Sequence, residues 1–272
     1  MCIDPYVCTL KGNCKIVDMT EISSYGEFFA PLSEADEVVI CGGDGTVNRF
    51  VNAVRGIDIP CPIYYLPAGS GNDFARDVEK VGAAEPFLLD GYIKELPSVT
   101  VDGNESLFIN GVGYGIDGYC CEVGDKIREK GKKVNYTSIA IKGLLFHFKP
   151  ANATVTVDGV EHKFKKAWIA PTMLGRFYGG GMMPVPEQHR GEGEGKLSVM
   201  LLYNTSKLKT LMIFPKLFKG THVTSKNVAI LTGDEITVKF DRPTALQIDG
   251  ETVLGVSEYS AKSAKFAAVK AL

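Results

Sequence analysis

The sequence predicts an α/β part with a parallel sheet, followed by an all-β part built as an antiparallel sandwich or barrel. Three observations lead there. Two short apolar runs, Val38-Val39-Ile40-Cys41 and Pro62-Ile63-Tyr64-Tyr65-Leu66, each end in a glycine-rich turn and lead into a helix, as strands of a parallel sheet with crossovers do. Beyond residue 99, short β-rich runs separated by turns replace that alternation. Two Val-Thr-Val runs, at 99–101 and 155–157, are each followed by Asp-Gly, the signal of a tight hairpin.

Taken in order, Cys14–Met19 reads as a first strand and Val38–Cys41 as a strand buried on both faces. Val47, Phe50, Val51 and Val54 then fall at i, i+3, i+4 and i+7, one face of a helix. Pro62–Leu66 repeats the strand signal, and Asn72 or Asp73 can cap the helix after it. The boundary between the parts is set near Ile93, giving 1–92 and 93–255. Further strands are expected at Lys166–Ala170, Lys196–Tyr203, Asn227–Leu231, Glu235–Phe240 and Thr244–Ile248. A basic helical insert, Asp125–Phe148, interrupts them, and the closing run Lys265–Val269 is expected as a strand that returns, with residues 256–272, to the first part.

Composition narrows the function. The chain has 272 residues, 45% apolar and 23% charged, enough to bury a core. Its net charge of -2 offers no global attraction for nucleic acid, so none is expected as a partner. Seven cysteines without a C-x-x-C pair suit a reduced, cytoplasmic protein better than a disulfide framework or zinc site. No apolar stretch is long enough to span a bilayer and the first residues carry no secretory pattern, so membrane work is expected at the surface.

The chemistry is expected at two loops. Gly42-Gly43-Asp44-Gly45-Thr46 lies between a buried strand and an amphipathic helix, where glycines let backbone amides approach a phosphate and the helix start adds donors. Such a loop alone also reads as a strand–helix turn that needs glycine. The second loop, Ala68-Gly69-Ser70-Gly71-Asn72-Asp73, also follows a strand and precedes a helix. Two such loops at the carboxyl ends of neighbouring parallel strands define a crevice, the usual ligand position in open α/β sheets. Neither matches a Walker loop or a dinucleotide fingerprint.

With GGDGT-VN and PAGSGNDFAR in hand, the chain resembles the diacylglycerol kinase catalytic domain family, the soluble bacterial lipid kinases related to sphingosine kinases. Gly179-Gly180-Gly181-Met182, Pro184 and Gly193-Glu194-Gly195-Lys196-Leu197 resemble the family's GGG…P…DG-x-L segment, and Asp249-Gly250-Glu251 its DGE motif. The resemblance implies an α/β nucleotide-binding domain, a β-sandwich lipid domain and an active-site cleft between them. It also implies ATP and magnesium as cofactors and a lipid alcohol as substrate.

Residue by residue, the resemblance implies nucleotide contacts at Gly42, Gly43, Asp44, Gly45, Thr46, Val47 and Asn48, with Thr20 and Ser70 adding hydroxyls. Asp44 is expected near the nucleotide and its magnesium, Asp73 at the substrate head group, and Glu251 as general base. Asp249-Gly250 also reads as a hairpin turn, and such a turn can present Glu251. A structural magnesium site is implied at Glu194, with backbone oxygens of Gly191 and Lys196.

The sequence departs from the family in three places. No NP-x-SG segment precedes the first buried strand, so one strand and part of the phosphate cradle are expected to be missing. Arg49 stands where glutamate is common, and Glu194 where aspartate is usual. Lysine-rich stretches beside apolar ones, Lys126 to Phe148 and Lys207 to Lys219, suit docking on an anionic lipid surface; ordinary helices covering the sandwich are the alternative. A homodimer is left open. The competing readings are an NAD kinase, which shares GGDGT, and a nucleotide- or lipid-binding relic without turnover.

Overall fold

The computed structural model describes residues 14–190 and 195–265. Helix α1 (Tyr25–Phe29) leads to strand β1 (Val38–Gly42), helix α2 (Asp44–Ala53), β2 (Ile63–Pro67), α3 (Asp73–Asp77), β3 (Phe87–Leu88) and α4 (Asp90–Ile93). β1 runs parallel to β2, from Val38 beside Ile63 to Gly42 beside Pro67. Both strands therefore end at one level of the sheet, and the glycine loop after each starts at the same edge. α2 buries Val47, Phe50 and Val51, the face its spacing predicts.

The first expected strand is absent. Residues 14–18 have no regular structure and Met19–Glu21 form a 3₁₀ turn. The cause is local: Asp18 caps the turn, accepting from the Thr20 amide at 2.9 Å and hydroxyl at 2.7 Å. A side chain that bonds its own backbone in this way competes with sheet pairing.

The second part is antiparallel throughout. It contains β4 (Ser98–Val101), β5 (Asn104–Leu107), β6 (Gly111–Tyr114), β7 (Ala151–Val157), β8 (Val160–Ala167), β9 (Thr172–Met173), β10 (Leu197–Leu202), β11 (Val228–Gly233), β12 (Glu235–Ile248) and β13 (Glu251–Lys262). The strands run β11-β10-β9-β6-β12-β13-β4-β5, with β7 against β12 and β8 against β7. β12 joins the layers: Ile236–Phe240 pair with β7, and Leu246–Ile248 with β6. The two strands expected at 235–240 and 244–248 are thus one strand, bent where its register with β13 shifts.

All three Asp-Gly hairpins form, at 102–103, 158–159 and 249–250. Each aspartate has φ near +48° and each glycine φ from 81° to 97°, the paired positive angles that a two-residue hairpin demands. The expected strand at 166–170 is displaced; β8 stops at Ala167, and Ile169 makes only isolated bridges. Residues 256–262 complete β13 against β12 and β4, so they belong to this sheet and do not return to the first part. Burial supplies the reason: Val256, Tyr259 and Ala261 lie in its core. The Lys265–Val269 strand falls largely outside the described residues.

The basic insert begins earlier than expected. Helix α5 spans Ile116–Arg128 and α6 spans Tyr136–Lys142, followed by a π turn over Gly143–His147. α7 (Lys207–Ile213) lies beyond β10. These helices share a core of Ile116, Ile139, Leu144, Trp168 and Leu217. The main cluster is continuous between the parts, uniting Phe29, Phe50 and Phe74 with Val99, Val155, Phe240 and Tyr259.

Candidate active site

The two glycine loops touch. A Cβ on Gly69 would lie 2.5 Å from the Gly43 Cα, so neither loop has room for a side chain at this contact. The Ala68 amide donates to the Gly42 carbonyl at 2.7 Å and the Tyr65 hydroxyl donates to it at 3.0 Å. At the start of α2, Thr46 and Val47 turn their amides to the Gly43 carbonyl. The Asp44 and Gly45 amides remain as first-turn donors, the arrangement that suits an anion such as a nucleotide phosphate.

Beneath the loops lie carboxylates that are already occupied. Asp44 accepts from the Asp73 amide at 3.0 Å, the Phe74 amide at 2.8 Å and Asn110 Nδ2 at 3.0 Å. It therefore caps α3, which Asn72 leaves without a side-chain cap. Asp73, expected at the head group, is buried and accepts from the Gly180 and Gly181 amides, both at 2.7 Å. Burial pushes its carboxyl up to about 6, with the Asp44 charge adding to the rise and the two amides opposing it.

Asp249 is a third such carboxylate. It accepts from the amides of Ile109, Asn110 and Gly111 at 2.6 to 3.0 Å, and from Asn48 Nδ2 at 2.8 Å. Asn48, expected at the nucleotide, instead turns inward and also donates to the Leu107 carbonyl. Its side chain joins the loop helix to the sandwich, because a buried amide needs partners on both sides. Val47 is fully buried in the core, so its side chain is directed away from the crevice. Thr20 is turned back on Asp18. Ser70 stands exposed in the second loop, and Thr46 packs against Gly42.

Glu251 differs from the rest. Its side chain is 46% exposed, and Oε1 accepts from Arg49 at 2.7 Å. A Cβ on Gly45 would lie 3.2 Å from the same oxygen, so the carboxylate sits over the glycine loop. The hairpin that carries it is held from behind: Gln247 accepts from the Gly250 amide at 2.6 Å, and the Thr252 hydroxyl donates to Asp125 of α5 at 2.6 Å. Arg49, whose charge departs from the family pattern, is thus the partner of the expected general base.

Sequence reasoning missed Asn110, Asp77 and Arg190. Asn110 reaches Asp44 with its amide nitrogen and accepts from Arg190 with its oxygen at 3.0 Å. Asp77, one turn after Asp73 on α3, binds Arg176 at 3.1 Å and Arg190 at 2.9 Å, fastening the helix to the sandwich. Arg190 also lies over the Phe74 ring at 4.9 Å. The available signal was the i, i+4 pair Asp73 and Asp77 on one helix face.

The implied structural magnesium site cannot be placed on these residues, since Gly191 and Glu194 lie outside the described chain. The Lys196 carbonyl accepts from Gln188 at 2.9 Å. No cluster of three His, Cys, Asp or Glu that could hold a metal occurs among the described residues. The carboxylates of Asp44 and Glu251 at the glycine loop are too few to hold a metal ion by themselves, so a magnesium ion there would need the phosphates as further ligands.

Residues 6–96 match the model of the diacylglycerol kinase catalytic domain, and residues 110–262 that of the YegS C-terminal NAD kinase beta sandwich-like domain. A diacylglycerol kinase of Mycobacterium tuberculosis is 28% identical over 211 residues, covering 75% of this chain and 67% of that protein. The crystal structure of a diacylglycerol kinase from Bacillus anthracis str. Sterne aligns with a TM-score of 0.54 at 18% identity, over 89% of this chain and 77% of that one. At that identity the likeness is one of fold.

Proposed function

Because the chain belongs to the family that joins a diacylglycerol kinase catalytic domain to a YegS-type sandwich, we propose that it is a lipid kinase passing the γ-phosphoryl group of ATP to the hydroxyl of diacylglycerol or a similar lipid alcohol. The observation that carries the proposal is the carboxylate of Glu251 lying over the glycine loop at Gly45. One part supplies phosphate donors, the other a proton acceptor, and both face one crevice. The division near residue 93 follows the same logic, with the nucleotide loops before it and the sandwich after it through Lys262.

In this reading the first-turn amides of α2 hold the phosphates, and Asp44 keeps α3 and the second loop in register with them. Magnesium, when bound, would neutralise phosphate charge with Asp44 among its ligands. Glu251 takes the hydroxyl proton as the lipid oxygen bonds to the γ-phosphorus. The bond from that phosphorus to the bridging oxygen breaks, and ADP carries the electron pair away. A free hydroxyl is a weak nucleophile, and a placed base contributes roughly 10²–10⁴-fold. Asp73 shapes the loop through Gly180 and Gly181 and is not free to bind a head group unless those bonds open. The lipid is reached at a membrane surface, and among the described residues no helix is long and apolar enough to cross a bilayer.

The test uses γ-labelled ATP, magnesium and either diacylglycerol in mixed micelles or NAD. Labelled phosphatidic acid is expected. Labelled NADP without phosphatidic acid would overturn the proposal in favour of an NAD kinase, and ATP binding without transfer to either would overturn it in favour of a relic.

A further inference from the structure

Residues 130–149 and 204–226 together hold ten lysines and no aspartate, glutamate or arginine. The whole chain carries -2, so the residues outside these 43 carry -12. The same two stretches hold seven of the thirteen large apolar side chains that stand exposed among the described residues. Phe146 is 72% exposed, Leu208 69% and Met212 66%. Positive charge and unburied apolar surface are therefore concentrated in the same small fraction of an acidic chain.

The fold brings the two stretches together. Lys207 Nζ donates to the Leu145 carbonyl at 2.7 Å, so α7 begins against the π turn that carries Phe146. α7 buries Thr210 and Ile213 and leaves Leu208 and Met212, one turn apart, on its open side. None of the ten lysines pairs with a carboxylate among the described residues, whereas Lys126, Lys163, Lys239 and Lys262, outside both stretches, do. Between α5 and α6 lies a cavity of about 330 Å³, lined by apolar Val123, Ile127 and Ile139 and by basic Lys133, Lys142 and His147.

We propose that the face formed by α6, the π turn, α7 and the 3₁₀ helix Phe214–Lys219 that follows it docks on an anionic phospholipid bilayer, a proposal that takes its motive from the lipid-kinase reading. Apolar side chains among lysines enter the boundary between headgroups and acyl chains while the ammonium groups remain at the phosphates. A nucleic acid would call for arginine and stacked aromatics along a groove, and the two stretches contain no arginine. The face is tied to the reacting side of the molecule by α5, whose Asp125 accepts from Thr252, the residue after Glu251. Docking would bring the crevice to the surface where a lipid alcohol is found.

The experiment is sedimentation of the full chain with vesicles containing neither diacylglycerol nor ATP. Vesicles of phosphatidylcholine alone are compared with vesicles that also contain phosphatidylglycerol. Binding is expected to be tighter on the anionic vesicles by roughly tenfold or more and to weaken as salt is raised. A variant carrying Phe146→Ser, Leu208→Ser and Met212→Ser should lose most of this binding at unchanged Tm, and so should one carrying Lys142→Gln, Lys216→Gln and Lys219→Gln. Val160→Ser, exposed elsewhere, should leave binding intact. Equal binding to both vesicle types, no binding, or unaffected binding in both triple variants overturns the proposal. So does loss of a dimer, in the absence of lipid, as the only effect of the triple variants. Sedimentation without phosphoryl transfer counts against the kinase reading alone; transfer without sedimentation counts against this face alone.

Discussion

The hydrogen-bonded carboxylates under the glycine loops and the exposed carboxylate at their rim have opposite environments. Asp44, Asp73, Asp77 and Asp249 each accept two or more hydrogen bonds from amides, guanidinium groups or Asn side chains. Glu251 has one partner, Arg49, and is nearly half exposed. A carboxylate bonded through both oxygens holds a backbone in place. One with spare acceptor capacity can take a proton from an incoming group. The motif aspartates are bonded to backbone and side chains of both parts, whereas Glu251 keeps free acceptor capacity at the rim.

The largest effect on the buried side is expected from Asp249→Ala. It would strip an acceptor from three buried amides and from Asn48. Each such group left unsatisfied costs about 1–3 kcal/mol, so a loss of roughly 3–5 kcal/mol should appear in chemical denaturation. A loss below about 1 kcal/mol would show that Asp249 is not a scaffold group.

Asp117 offers a test of burial itself. It sits at the start of α5 with no hydrogen-bond partner for either carboxylate oxygen, and burial pushes it up to about 7. The Gly118 amide, its own amide and the Tyr178 hydroxyl lie near enough to oppose that rise without forming well-placed bonds. A folded value above the unfolded one near 3.9 means that the folded state binds the proton more tightly. Its contribution to stability is complete below about pH 4 and is lost as pH rises through about 7. Asp117→Asn should therefore be more stable than the parent by about 2–4 kcal/mol at pH 8, and this gain should disappear near pH 4. Thermal unfolding of both proteins across pH 4 to 8 checks this; parallel curves would remove Asp117 from the group of strained buried acids.

The smallest effect is expected at the exposed pair. Arg49→Gln should change stability by no more than about 1 kcal/mol, because both side chains face solvent. Turnover should fall several-fold through loss of the contact that orients Glu251, while KM for ATP stays near the parent value. Adding Arg49→Gln to Glu251→Gln should cost nothing further, since two residues acting through one contact are not additive. Additive losses in that cycle would mean that Arg49 acts on the phosphates directly.

Local features of the sequence carried much of this. Two apolar runs ending in glycine loops placed the parallel pair, and three Asp-Gly turns placed three hairpins, because each depends on neighbouring residues alone. The false strand at 14–19 is also a local matter, since nothing in an apolar-polar pattern reveals that Asp18 will cap a turn. The roles of Asp249, Asn110 and Asp77 were out of reach for a different reason. Asp249 meets Asn48 over 201 positions, Asp44 meets Asn110 over 66, and Asp77 meets Arg190 over 113. Motif matching could mark Asp44, Asp73 and Asn48 as important, but only packing shows that they face each other and the sandwich.

The most direct measurement is the steady-state kinetics of Glu251→Gln with ATP and diacylglycerol, alongside its ATP affinity by calorimetry. Glu251 lies over Gly45 with little burial and one exposed partner, so the change should leave Tm and ATP affinity near their parent values. Turnover should fall by roughly 10²-fold or more. Parent-like turnover with native stability would contradict the account and return the hairpin at 249–251 to a structural role.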